Sequence, residues 1–285
     1  NNLSVAVTGA SGFIGRHVLN ELIARGFNVI ALTRDPSKML GFRNQCNVFQ
    51  LDIGKLQNSV FQQIGKPDLL IHLAWEGLPN YKSLHHFESE LPVHYKFLKS
   101  LVQDGLENLV VAGTCFEYGM INGPLSEEMP TNPENPYGYA KDALRRQLMF
   151  LKKKLRFNLT WARLFYIFGQ GQPATSLYSQ VIQLIEQNQK IFNMSGGEQL
   201  RDYLPVDKVA KLMVDLSLLR QDIGAVNVCS GIPVSIRKIV EAWLVGMGTD
   251  LKLNLGYYPY PDYEPMAFWG DRSRLDYVLG RRDVF

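Results

Sequence analysis

The chain has 285 residues, 46% of them hydrophobic and 20% charged, with 30 basic against 27 acidic side chains. This is an ordinary globular composition with enough length for a large core, and a net charge of +3 is too small to argue for nucleic acid as a partner. Three cysteines without metal spacing exclude a disulfide framework, no apolar run approaches a membrane span, and no signal-peptide pattern stands ahead of the first strand, so a cytoplasmic protein is expected.

In chain order the first pattern is an apolar run, Leu3 to Val7, that stops at Thr8-Gly9-Ala10-Ser11-Gly12-Phe13-Ile14-Gly15. Beyond it Ile14, Val18, Leu19, Leu22 and Ile23 recur at helical spacing. Strand, glycine turn and helix form the context of a dinucleotide fingerprint: Gly9 permits the turn, Gly12 lets backbone approach a pyrophosphate, and Gly15 lets helix pack on strand. Further strands are expected at Asn28 to Thr33, Val48 to Leu51, Asp68 to Leu73, Asn108 to Ala112 and Leu159 to Leu164. Helices are expected over Ser83 to Gln103, bent at Pro92, and over Tyr137 to Lys154. Near-continuous apolar strands alternating with helices imply an α/β fold, a Rossmann-type doubly wound parallel sheet covered on both faces.

Past Phe168 the pattern loosens. A turn at Gly169 to Pro173, a helix at Ser176 to Asn188, an extended Arg201 to Val206 and a segment rich in Tyr, Pro and Phe at Leu253 to Trp269 suggest a smaller mixed lobe. The expected division is a dinucleotide domain over 1–167, with segments around 200–230 returning to it, and a substrate lobe over 168–285. The two are interleaved, and ligands in this architecture bind beyond the carboxyl ends of the strands.

The second strong pattern is Pro136-Tyr137-Gly138-Tyr139-Ala140-Lys141. Residues four apart share a helix face, so Tyr137 and Lys141 project together, and a nearby ammonium favours the phenolate. Thr114, just after the fifth strand, offers a hydroxyl where substrate would lie.

With these residues in place the chain resembles an extended short-chain dehydrogenase/reductase of the NAD-dependent epimerase/dehydratase family, which acts mostly on nucleotide sugars. The resemblance rests on Thr8-Gly9-x-x-Gly12-x-x-Gly15, Leu51-Asp52-Ile53, His72-Leu73-Ala74, Thr114…Tyr118-Gly119, Tyr137-x-x-x-Lys141, Arg163-x-Phe165 and Arg201-Asp202-Tyr203…Val206-x-Lys208-Val209. It implies that Tyr137 is the general acid/base, that Lys141 binds the nicotinamide ribose and tunes Tyr137, and that Thr114 hydrogen-bonds the same substrate oxygen. It further implies that Asp52 and Ile53 flank the adenine, that Leu73 and Ala74 line the middle of the cofactor, and that Ser11, Phe13, Ile14 and Leu164 complete its site. Trp75, Cys115, Phe116, Glu117, Tyr166, Arg201 and Tyr260 are expected to meet the substrate, with Arg201 on its diphosphate. No metal is expected.

Arg34, at the end of the second strand, stands where the 2′-phosphate of NADP would lie, so NADP(H) is expected in preference to NAD(H). The family's 4,6-dehydratases carry Asp-Glu after the threonine. This chain has Cys115-Phe116 there, with Glu117 one place too late. Two departures concern substrate handling: Tyr166 stands where relatives often have Asn, and no Arg precedes the final aromatic segment. The expected activity is NADPH-dependent reduction of a nucleotide-linked 4-keto-6-deoxyhexose, of dTDP type. The alternatives are an epimerase with tightly held NAD, for which Cys115 could swap a proton, and a non-catalytic NADP(H)-binding protein. Relatives dimerise by packing two helices per subunit into a four-helix bundle, so a homodimer through Ser83–Gln103 and Tyr137–Lys154 is expected. His85, His86 and His94 are read as surface or interface residues and not metal ligands, because His85 and His86 are adjacent and diverge around a helix, whereas a helical metal pair wants i, i+4 spacing.

Overall fold

The computed structural model describes residues 3–55 and 59–280. In chain order the strands are β1 (Ser4–Thr8), β2 (Asn28–Thr33), β3 (Asn47–Gln50), β4 (Leu69–His72), β5 (Asn108–Thr114), β6 (Gly123–Leu125), β7 (Asn158–Leu164), β8 (Tyr166–Phe168), β9 (Ile191–Asn193), β10 (Leu200–Pro205), β11 (Gly224–Val228), β12 (Pro233–Ser235), β13 (Lys252–Asn254) and β14 (Phe268–Gly270). The helices are α1 (Phe13–Ala24), α2 (Val60–Gln63), α3 (Leu91–Gln103), α4 (Pro136–Lys152), α5 (Leu177–Glu186), α6 (Val206–Leu218), α7 (Ile236–Met247) and α8 (Ser273–Val278).

Seven parallel strands form one sheet in the order β11-β7-β5-β4-β1-β2-β3. Its central strands are buried on both faces, which is why they read as unbroken apolar runs. Side-chain alternation divides the packing between two cores. Val5, Val7, Leu69 and Ile71 face the α1 and α6 side with Val18, Leu22 and Met213. Ala6, Leu70 and Val111 face the other with Phe97, Leu101, Leu144 and Leu148.

The chain turns outward on either side of the β1–β4 pair, so a crevice opens beyond the carboxyl ends of these two strands. After β7 the backbone leaves the sheet at Phe165 and continues as β8, which pairs in parallel with β10, itself antiparallel to β12. A separate apolar cluster around Val181, Phe192, Val240, Trp243 and Leu251 holds α5, α7, β9 and β13 together above the crevice.

Two departures from the expected elements bear on the site. The fifth strand runs two residues further than expected, so Thr114 closes β5 rather than following it. The Ser83–Gln103 helix is broken in character: residues His86–Glu90 form a π turn that leads into α3. Pro92 supplies no amide proton, and the wider turn ahead of it absorbs the mismatch that a regular helix could not.

Candidate active site

A cleft of about 920 Å³ extends from the glycine loop, past the ends of β1, β4 and β5, to the aromatic face of the smaller lobe. At its floor, Gly9 has φ +65°, and a β-carbon there would sit 2.8 Å from the Ala74 amide nitrogen. One on Gly15 would sit 2.1 Å from the Gly9 carbonyl oxygen. Only bare backbone fits this crossing of β1, α1 and the β4 loop. No side chain caps the start of α1, so its first amides are left for an anion, and the cradle fits a pyrophosphate.

The crossing is tied by a chain of hydrogen bonds that the sequence reading missed. The Thr8 hydroxyl accepts the Leu73 and Ala74 amides at 3.1 and 3.3 Å and donates to His72 Nδ1 at 2.8 Å. His72 Nε2 donates to His94 Nδ1 at 2.7 Å, and His94 Nε2 donates to the Glu90 carboxylate at 3.0 Å. Because a carboxylate only accepts, the direction of every bond in the chain follows from its Glu90 end. Burial, then the charges of His94 and Lys141, hold the His72 imidazole far below its usual range. Burial and Lys141 also lower His94, against the pull of Glu90. Burial pushes the Glu90 carboxyl up, but its bonds from His94 and the Glu76 amide outweigh that and keep it ionised.

His94 and His86 are therefore buried, contrary to the surface reading. His86 accepts from Trp75 Nε1 at 3.1 Å and donates to the Asn80 carbonyl at 2.8 Å. The i, i+4 spacing of Glu90 and His94 was the available signal for the inner pair.

Thr114, Tyr137 and Lys141 come together at the end of β5. Asn135 caps α4 by accepting the Gly138 amide at 2.8 Å, and the Tyr137 amide donates to the Tyr81 carbonyl at 3.2 Å, which fixes the helix start against the cleft. The Thr114 hydroxyl accepts the Phe116 amide at 3.3 Å, and Thr114 and Tyr137 line the cleft together. Burial raises the Tyr137 phenol above its usual range, helped by Tyr81, Glu117 and Cys115 and opposed by Thr114.

Lys141 stands off from the phenol in this arrangement. Its Nζ donates to the Ala112 carbonyl at 2.8 Å and lies 5.9 Å from the Tyr137 ring. Burial pushes the Lys141 amine down to about 7.

Of the residues singled out in the sequence, Gly9, Ser11, Gly12, Phe13, Ile14, Gly15, Arg34, Asp52, Ile53, Leu73, Ala74, Trp75, Thr114, Cys115, Phe116, Tyr137, Lys141, Leu164 and Tyr166 all line the cleft. Three do not. Glu117 is wholly buried behind β5, where it accepts the Thr114 amide at 2.9 Å, Trp161 Nε1 at 2.8 Å and Arg163 Nε at 2.8 Å. Arg201 is also buried, paired with Glu264 at 2.8 Å, and its guanidinium stacks 4.6 Å from the Phe268 ring. Tyr260 donates to Glu198 at 3.2 Å, away from the cleft.

In their place the structure brings Tyr81, Tyr263 and Glu264 to the cleft beside Tyr166, and Phe168, Tyr178, Tyr203 and Trp243 to its outer wall. Thr175 and Ser176, where Ser176 caps α5, line the same outer region. Cys115 is a buried thiol whose pKa burial drives upward, so it is no ready base.

A family model described as the NAD dependent epimerase/dehydratase family matches residues 5–229. The chain is 33% identical over 270 residues to the dTDP-6-deoxy-L-talose 4-dehydrogenase (NAD(+)) of Aggregatibacter actinomycetemcomitans, across 94% of this chain and 99% of that protein. It is 24% identical over 254 residues to a dTDP-4-dehydro-6-deoxyglucose reductase of Escherichia coli, across 83% and 80% of the two chains. Among solved structures, MoeE5 in complex with UDP-glucose and NAD superposes with a TM-score of 0.82 at 26% identity, covering 99% and 94% of the two chains. A UDP-N-acetylglucosamine 4-epimerase from Methanobrevibacter ruminantium M1 gives 0.86 at 21% identity, over 97% and 91%, and supports the fold alone.

Proposed function

The chain belongs to the NAD dependent epimerase/dehydratase family, and we propose that within it this protein is a nucleotide-sugar 4-oxidoreductase acting on a dTDP-linked 6-deoxyhexose. The observation that carries the reading is the meeting of Thr114, Tyr137 and Lys141 at the end of β5, in a cleft whose other end is the glycine cradle. A bound nicotinamide dinucleotide would supply the hydride, or accept it, at the sugar's C4.

The protein's own part is proton transfer and positioning. Tyr137, kept protonated by burial, gives its proton to the oxygen at C4 as the carbonyl becomes a hydroxyl, while Thr114 hydrogen-bonds that oxygen. Lys141 would hold the nicotinamide ribose, and the glycine cradle the pyrophosphate. Near neutral pH the phenol is protonated, the form that a proton donor needs, and the redox state of the dinucleotide would set the direction of net turnover. The talose dehydrogenase relative is named for the reverse passage across the same kind of bond. With Arg201 sequestered by Glu264, the start of α5 with Thr175 and Ser176 is the better candidate for the substrate's diphosphate.

Arg34 supports NADP(H), the finer reading raised by the sequence. Its pairing with Glu76 and the NAD(+) in the relative's name weigh toward NAD(H), which we adopt. We also propose a homodimer through the segment over residues 83–103 and α4, because Leu84, Tyr139 and Phe150 leave large apolar groups 53%, 51% and 67% exposed along them. Sedimentation of Phe150→Asp as a monomer where the wild type runs as a dimer would support it. Among the described residues no helix is long and apolar enough to cross a membrane.

The activity test follows reduced-nicotinamide absorbance with dTDP-4-keto-6-deoxyhexose and NADH or NADPH. Stoichiometric loss that stops in Tyr137→Phe supports the oxidoreductase. No net change, with NAD released on denaturation and a C4-inverted sugar formed, would replace it with an epimerase.

A further inference from the structure

Arg34 faces a carboxylate. Its guanidinium, one residue past β2, is ion-paired with Glu76 in the loop that follows β4. The two residues bridge neighbouring walls of the cleft, and both line it. Each is anchored from behind: the Arg34 carbonyl accepts from Gln50 Nε2 at 3.1 Å, and the Glu76 amide donates to the buried Glu90 at 2.9 Å. The loop after Arg34 is arranged similarly. The Asp35 carboxylate accepts both the amide and the hydroxyl of Ser37, at 3.0 and 2.5 Å, so Ser37 is committed internally.

We propose that Glu76 sets the dinucleotide preference of this cleft, favouring NAD(H) by occupying the guanidinium that a 2′-phosphate would need. The inference rests on reading the cleft as a dinucleotide site. A 2′-phosphate is a dianion whose natural partner here is the Arg34 fork. To reach it the phosphate must displace the Glu76 carboxylate and then remain beside it. A 2′-hydroxyl carries no charge and meets no such opposition. The Arg34 and Glu76 side chains are 61% and 47% exposed, so their pairing contributes little to the fold and its effect falls on what enters the cleft.

Isothermal titration calorimetry of NAD+ and NADP+, with 5′-AMP and 2′,5′-ADP as adenosine-end probes, tests this directly. Wild type is expected to bind NAD+ more tightly than NADP+. Glu76→Gln is expected to raise the NADP+/NAD+ affinity ratio by about tenfold or more, as removal of one adjacent charge from a phosphate site requires. Adding Arg34→Ala to Glu76→Gln is expected to erase that gain, with the same trend for 2′,5′-ADP over 5′-AMP. An unchanged ratio in Glu76→Gln, or a wild type that prefers NADP+, overturns the proposal while leaving the dinucleotide site intact. If neither dinucleotide nor either adenosine probe binds the folded wild type, the cofactor reading fails and takes the proposal with it.

Discussion

The indole ring of Trp75 lies 4.0 Å from Lys141 Nζ, which closes the amine off from water. Trp75 is itself stacked on His94 at 4.5 Å, so the lid over the lysine is braced by the same histidine that serves the Thr8 chain. An amine held near 7 against an ordinary 10.5 costs stability wherever the unfolded chain is protonated and the folded one resists. The cost is full below pH 7 and fades as pH rises toward 10.5. Lys141→Met should therefore raise stability at pH 7, on the order of 2–4 kcal/mol, while abolishing turnover. Thermal melts at pH 6.5, 8.5 and 10 should show the gain shrinking, and a gain independent of pH would refute the argument.

The neutral His72–His94 pair makes the opposite demand at low pH. Both imidazoles are held below their ordinary range, so below about pH 6.5 the unfolded chain takes up protons that the folded chain refuses. Stability should fall on acidification from pH 7 to 5, with each buried histidine adding up to about 1.4 kcal/mol per pH unit to the slope. Urea melts of His94→Gln should show a shallower dependence than wild type. Equal slopes would mean that these histidines ionise freely.

Tyr137→Phe keeps the ring and removes the proton. Turnover should drop by roughly 10²–10⁴, the usual worth of a positioned general acid, with dinucleotide affinity retained. Thr114→Val should lower kcat by a smaller factor. A Tyr137→Phe enzyme with more than a tenth of wild-type activity would remove the tyrosine from the mechanism.

Gly15→Ala places a methyl 2.1 Å from the Gly9 carbonyl, between two backbones that cannot give way. The expected result is destabilisation of about 2–3 kcal/mol and no melting-temperature rise with NAD+, where wild type is expected to show one. A variant that melts normally and still responds to NAD+ would contradict the packing described here.

What the sequence disclosed was local. The glycine loop, the Tyr137–Lys141 spacing and the apolar strands each lie within one element or at one junction, and the alternation of strands and helices was enough to imply a parallel sheet. What it concealed was long-range pairing of charge. Glu117 reads as a cleft residue beside Cys115 and Phe116, but its partners Trp161 and Arg163 arrive from β7, 44 and 46 positions away. Arg201 reads as a phosphate ligand until Glu264, 63 positions on, neutralises it. Arg34 is the same case at the other end of the cleft, with Glu76 42 positions on. No local pattern says which acid a cation will find.

The place of β11 at the edge of the main sheet bears on modularity. The strand is laid down only after the chain has built β8, β10 and α6, yet it pairs with β7 residue for residue from Gly224 against Thr160 to Val228 against Leu164. A fragment ending near residue 168 would bare the β7 edge and strip Leu212, Met213 and Val214 from the core against α1. Such a fragment is expected not to fold on its own, and swapping in another protein's outer lobe would have to preserve both returns of the chain, at α6 with β11 and again at α8.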